Sequence, residues 1–126
     1  MAVVYDPTVR TARMQAVLDE IDAGAGAPSM EIGNAGFASV LATIPLANNP
    51  PGSVTGDVLT FTMPQSDTSA DATGTAAEAR IKDGDGNIQI SGLTVGTAAT
   101  DVILDSVSIT AGQTVTINSG TITHFT

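Results

Sequence analysis

The chain has 126 residues and a mass of 12.6 kDa, the size of one domain with a modest core. Lys and Arg number 4 against 13 Asp and Glu, giving a net charge of −9 that excludes the clustered bases a nucleic-acid binder needs and disfavours docking on anionic lipid. Cys and Trp are both absent, so disulfides, thiolate chemistry and Cys-ligated metals are excluded, and aromatic platforms for bases or sugars are not expected.

The first six residues read as a short extended arm in which Val3, Val4 and Tyr5 stand in a row. Such an arm either joins its own sheet or adds a strand to a neighbour's sheet edge. Asp6-Pro7 is a helix start: the carboxylate caps free amides, and proline suits the first helical position, where no donor is needed. A helix is predicted over Pro7 to Ala23, with Gly24 as a left-handed stop and Gly26 and Pro28 as further breaks. Met14, Val17, Leu18 and Ile21 share an apolar face by their i, i+3, i+4, i+7 spacing. Val9, Ala12, Ala16 and Ala23 cluster within about 60° on the opposite side. This second face is small and smooth; it is either filler of good helix propensity or a surface on which another backbone can approach. Arg10 and Arg13 lie near the start and Asp19, Glu20 and Asp22 near the end, the reverse of what the helix dipole favours. Charges placed against the dipole either serve a partner or mean nothing.

Only strands and turns are predicted beyond Ser29. Met30–Ile32 and Ser39–Leu46 are the first two, and Val54–Met63 is a third whose Leu59, Phe61 and Met63 face one way while Val58, Thr60 and Thr62 face the other. Pro45, Pro50 and Pro51 separate the second from the third. Asp67–Gly74 is a polar loop. Thr75–Lys82 and Asn87–Ser91 flank Asp83-Gly84-Asp85-Gly86, a hairpin signal. Asp101–Asp105, Ser106–Thr110, Thr114–Asn118 and Thr121–Phe125 complete the set, with a break expected at Ser119-Gly120. The expected fold is mainly β: an antiparallel sandwich or barrel-like domain (29–126) with one N-terminal helix and a short arm (1–28), forming a single structural unit. There are 18 Ala and 18 Thr, which suit strands and tight turns better than long helices. No signal peptide and no transmembrane helix is read from the sequence, so the expected setting is a cytoplasm or a particle assembled there.

No catalytic constellation stands out, and the chain is read as non-enzymatic with no cofactor. Asp83 to Asn87 begins like a calcium loop, but Ile88 stands where glycine is needed and Thr94 where glutamate is needed, so an acidic hairpin turn is the better reading. His124 is the only histidine and has no partner identifiable from sequence. No phosphate-cradling glycine motif is present. Arg80 and Lys82, two apart on one strand, share a face and either pair within the chain or meet an acidic partner. Two stretches, 32–56 and 106–126, carry no charge. Either hydroxyls and amides solvate them or they lie against another subunit, since interfaces deplete charge at their centres. The candidate partner-binding residues are therefore Val3, Val4, Tyr5, Arg10, Arg13, Arg80 and Lys82.

The run EIGNAGFASVLATIPLAN, followed by GDVLTF, SDTSADATGTAAEARIKDGDGNIQISGLTVGT and SITAGQTVTINSGTITH, resembles small virion structural proteins of tailed bacteriophages. Within that group it looks most like a capsid decoration, or cement, protein. The resemblance implies a virion protein that binds between capsomers of the major capsid protein, often as a trimer, through terminal arms and β-domains. It supplies no active-site residues. A collar, head–tail or tail protein is the alternative within the virion, and a small ligand- or carbohydrate-binding β-domain is the alternative of another class.

Overall fold

The computed structural model describes residues 4–24, 26–47 and 51–123. Val3 and His124 lie outside the described residues, as do the first two positions of the arm and the end of the predicted Thr121–Phe125 strand. The chain is mainly β, with one N-terminal helix set against a curled, half-barrel-like sheet.

The helix, α1, spans Pro7–Ile21. Asp6 caps it, its carboxylate accepting from the Thr8 amide at 3.0 Å, an interaction that contributes about 1 kcal/mol in typical caps. Met14, Leu18 and Ile21 are buried as the spacing predicts, whereas Val17 is only half-buried. The helix ends two residues before the predicted Ala23: Asp22 donates back to Leu18, and Gly24 follows in a left-handed conformation (φ +99°).

Eleven strands follow among the described residues: β1 (Ser29–Gly33), β2 (Val40–Pro45), β3 (Gly52–Thr55), β4 (Val58–Phe61), β5 (Gln65–Asp67), β6 (Gly74–Thr75), β7 (Glu78–Lys82), β8 (Ile88–Gly96), β9 (Val102–Leu104), β10 (Ser108–Ile109) and β11 (Val115–Thr123). The main sheet runs β2-β1-β7-β8-β9-β11-β4-β3, and β5 also pairs with β11. The pairings are antiparallel except β8 with β9, which run parallel over Val95 and Gly96. A parallel pair ordinarily needs a long crossover. Here the joined stretch is two residues long, and Asp101 ties the return: its carboxylate accepts from both the amide (3.0 Å) and the hydroxyl (3.1 Å) of Thr94.

Three sequence expectations change in detail. Val54–Met63 is two strands, folded at Gly56 (φ +61°) into the β3–β4 hairpin, although Leu59 and Phe61 are buried and Met63 half-buried on the predicted side. Ser119-Gly120 does not break the last segment; β11 is continuous and absorbs the irregularity as a register shift between Ile117 and Ser119. Similarly, β8 passes through Gly92 (φ +77°), a bulge between the pairs Ala79↔Leu93 and Ile81↔Ile90, instead of stopping at Ser91.

The sheet curls because its β2 end is met by the segment leaving β5. The Asp67 carboxylate accepts from the Thr43 amide at 3.1 Å, and the Leu41 carbonyl accepts from the amides of Asp71 (2.8 Å) and Ala72 (3.3 Å). Since β5 is itself held by β11, the β2 edge is brought back towards the middle of the sheet. Edge amides that would otherwise offer a pairing template are covered in this way. The core inside the curl includes Met30, Ile32, Ile44, Leu59, Ile81 and Ile117, all fully buried.

Two hairpin tips hold the helix. The β3–β4 turn grips its start, where the Thr11 hydroxyl donates to the Gly56 carbonyl at 2.6 Å and Arg10 pairs with Asp57 at 3.4 Å. The β7–β8 turn grips its end, where the Gly84 amide donates to the Ala23 carbonyl at 2.9 Å. Between these points the apolar face packs on β3 and β4.

Candidate interaction surface

The basic residues are the natural starting point, because the chain has so few. Arg80 and Lys82 do share a face of β7, and opposite them on β1 lies Glu31. Arg80 Nε sits 2.6 Å from one carboxylate oxygen of Glu31, and Lys82 Nζ sits 3.2 Å from the other. Burial alone would push the Glu31 carboxyl up; the hydrogen bonds and positive charges of Arg80 and Lys82 outweigh it and hold the carboxyl below its ordinary value. The Arg80 guanidinium also stacks on the Phe37 ring, 4.4 Å from its centroid. That ring lies against Gly33, where a Cβ would come within 2.5 Å of a ring carbon. Phe37 holds a left-handed backbone (φ +54°) to reach this position, which a non-glycine residue adopts only when its surroundings demand it. Arg80 and Lys82 are thus engaged within the chain.

At the Asp83–Asn87 turn the Asp83 carboxylate is committed. Asp83 Oδ1 accepts from the amides of Asp85 (3.0 Å) and Asn87 (2.9 Å), and Oδ2 accepts from the Gln89 side chain (2.9 Å). The Asn87 amide leads the interactions that hold the Asp83 carboxyl below its usual range, against the opposing effect of burial. A carboxylate that accepts from three donors of its own turn and strand closes the hairpin. Among the described residues, no group of three His, Asp or Glu side chains converges on a point where a metal ion could sit.

The remaining candidates gather at the helix start. Val4, Tyr5 and Asp6 belong to no strand; Val4 is 72% exposed and Tyr5 38%. Arg13 lies over the Tyr5 ring at 4.6 Å, and the Arg10 guanidinium donates to the Tyr5 carbonyl. Arg10 is also committed to Asp57, so among the described residues Arg13 is the base that makes no ion pair. From Tyr5 the exposed apolar surface continues along the outward side of α1 through Val9 (42% exposed) to Ala16. It ends in a shallow groove of about 250 Å³ lined by Ala16, Val17 and Glu20 of α1 and Gln89 and Ile90 of β8. Val17 is half-buried because it faces this groove. Ile88, on the same strand, is 50% exposed. A second, smaller cavity, near Asp105 and Gln113, measures about 30 Å³.

The seven candidate residues therefore fall into two groups, Tyr5, Arg10 and Arg13 with Val4 beside them, and Arg80 with Lys82, while Val3 is outside the described residues. Sequence reading missed Glu31, Phe37, Asp57 and the groove. Glu31 had a signal: a lone carboxylate between the apolar Met30 and Ile32 calls for a cation opposite. Parts of the uncharged stretches find partners inside the chain. Residues 115–123 form β11, which touches β9, β5 and β4, and residues 40–45 form β2, covered by the segment after β5. No family model, curated protein or solved structure matches this chain. No helix is long and apolar enough to cross a membrane among the described residues.

Proposed function

We infer that this chain is a non-enzymatic virion structural protein, one that decorates and stabilises the capsid of a tailed bacteriophage by binding the major capsid protein between capsomers. The observation that carries the reading is the N-terminal arm. Val4 and Tyr5 are apolar, exposed and outside the chain's own sheet, held at their base by Arg10 and Arg13. An exposed apolar segment that is pinned at its root and belongs to no strand suits strand addition to, or capture by, a neighbouring subunit. The net charge of −9 keeps such a protein off packaged nucleic acid and off anionic membranes. The segments quoted above, which resemble virion proteins, supply the choice of partner. Stabilisation needs no chemistry: a protein that binds the assembled lattice, and not its free subunits, shifts assembly by mass action. The ligand-binding alternative finds less support, since the groove of about 250 Å³ is open and has no aromatic lining.

Deleting residues 1–5 while keeping the Asp6 cap separates arm from fold. The truncated protein is expected to unfold within a few degrees of the full chain yet to lose tenfold or more in affinity for assembled capsids, read by co-sedimentation. Unchanged capsid affinity would remove the arm from the account.

A further inference from the structure

The outward side of α1 carries both signs of charge in an order that complements itself. Arg13 and Glu20 are seven residues apart, about two turns and ~10.5 Å along the axis, on nearly the same line of the helix. Arg13 makes no ion pair among the described residues, and neither does Glu20. Midway between them are Ala16 and Val17, which line the groove against β8. Ala16 is exposed and small, so nothing bulky keeps a second backbone away. Val9 and Tyr5 extend the same side towards the arm, and Ile88 extends it beyond the groove.

We propose that this face pairs two copies of the chain about a two-fold axis passing beside Ala16 and Val17, with the two α1 helices antiparallel. In that arrangement Arg13 of each copy faces Glu20 of the other. An isologous contact needs just this kind of self-complementary surface, where one residue meets a second and the second meets the first. The argument for a second copy over another partner is charge. Arg13, which stacks on the Tyr5 ring but makes no ion pair among the described residues, lies on this face, and the matching acid sits two turns away on the same face. The apolar centre supplies affinity, while the two rim pairs fix orientation and add salt dependence. The inference stands apart from the capsid reading, because it concerns the isolated protein with no partner present.

Sedimentation equilibrium on the full chain, with circular dichroism to verify folding, tests it. The wild type is expected to dimerise reversibly at micromolar to submillimolar concentration, from 12.6 kDa towards twice that mass. Ala16→Arg, at an exposed position, is expected to remain folded and monomeric. Arg13→Glu and Glu20→Arg are each expected to weaken the dimer about tenfold by setting like charges opposite each other, and the double variant is expected to recover most of the loss. A wild type that stays monomeric throughout, a dimer or trimer indifferent to Ala16→Arg, or a double variant as weak as the singles would each overturn the proposal.

Discussion

Gly84→Ala is expected to lower the midpoint of thermal unfolding by roughly 10 °C, the equivalent of about 2–3 kcal/mol in a domain of this size. A Cβ at this position would lie 2.1 Å from the carbonyl oxygen of Gly26 and 2.8 Å from its carbonyl carbon. Both are backbone atoms, so no side chain can swing aside. One of the two segments must move, and each is tied down. The Gly84 amide donates to Ala23 at the end of the helix, and Asp83 closes the hairpin through its own amide and its carboxylate. Separating the turn from the helix end loosens the anchor of Leu18 and Ile21, which are buried. Gly86→Asn in the same turn serves as the control, because a Cβ at Gly86 meets nothing within 4 Å and asparagine tolerates its positive φ. The control should stay near wild type. A Gly84→Ala protein as stable as the control would show that the close approach of the two backbones is not required.

Glu31→Gln is expected to cost roughly 2 kcal/mol at neutral pH. The side chain of Glu31 is largely buried, and Arg80 and Lys82 converge on it from one strand. The variant keeps the shape but leaves two cations facing each other with no negative charge between them. The partly exposed Arg80 and Lys82 keep the cost below that of a fully buried pair. The effect also has a pH signature. The folded protein holds the Glu31 carboxyl below its unfolded value of about 4.5, so its contribution is fully present above that value and is lost as pH falls through the folded one. Wild type and variant should therefore differ most near neutrality and converge on acidification. Asp83 is shifted in the same direction, so the variant retains some acid sensitivity of its own. Denaturant titrations at several pH values give the comparison; a gap that persists unchanged well below pH 4 would contradict the pairing.

How much of this was legible in the sequence depends on range. The helix was readable because its signals are local: Asp6 and Pro7 mark its start, and Met14, Leu18 and Ile21 mark its inner face. The alternation of Leu59 and Phe61 likewise identified their buried side. The turn at Gly56 was missed because VTGDVLTF alternates on both sides of it, although Gly-Asp between two strand-forming runs is a usable hairpin signal. Gly92 and Gly120 read as strand ends in the sequence because a bulge and a break look alike until the partner strand is known. Strand order, the parallel β8–β9 step and the return of the β5 segment to β2 depend on contacts between residues far apart in the chain, which local pattern does not encode. The same holds for the candidate surface. Arg80 and Lys82 were placed correctly on one face, but Glu31 lies 49 residues from Arg80, and only the β1–β7 register brings them together. The reversed charge order of α1 is visible in the sequence; only the structure shows that Arg10 pairs with Asp57 while Arg13 stacks on the Tyr5 ring and Glu20 stays exposed.

The central claim is that the chain is a component of a virion shell. The most direct test is its copy number relative to the major capsid protein in purified particles, measured by quantitative mass spectrometry. A decoration protein is expected in numbers comparable to the capsid protein, or in a fixed fraction of it such as one-third. A count of about a dozen or fewer per particle, or absence from particles, would contradict the account.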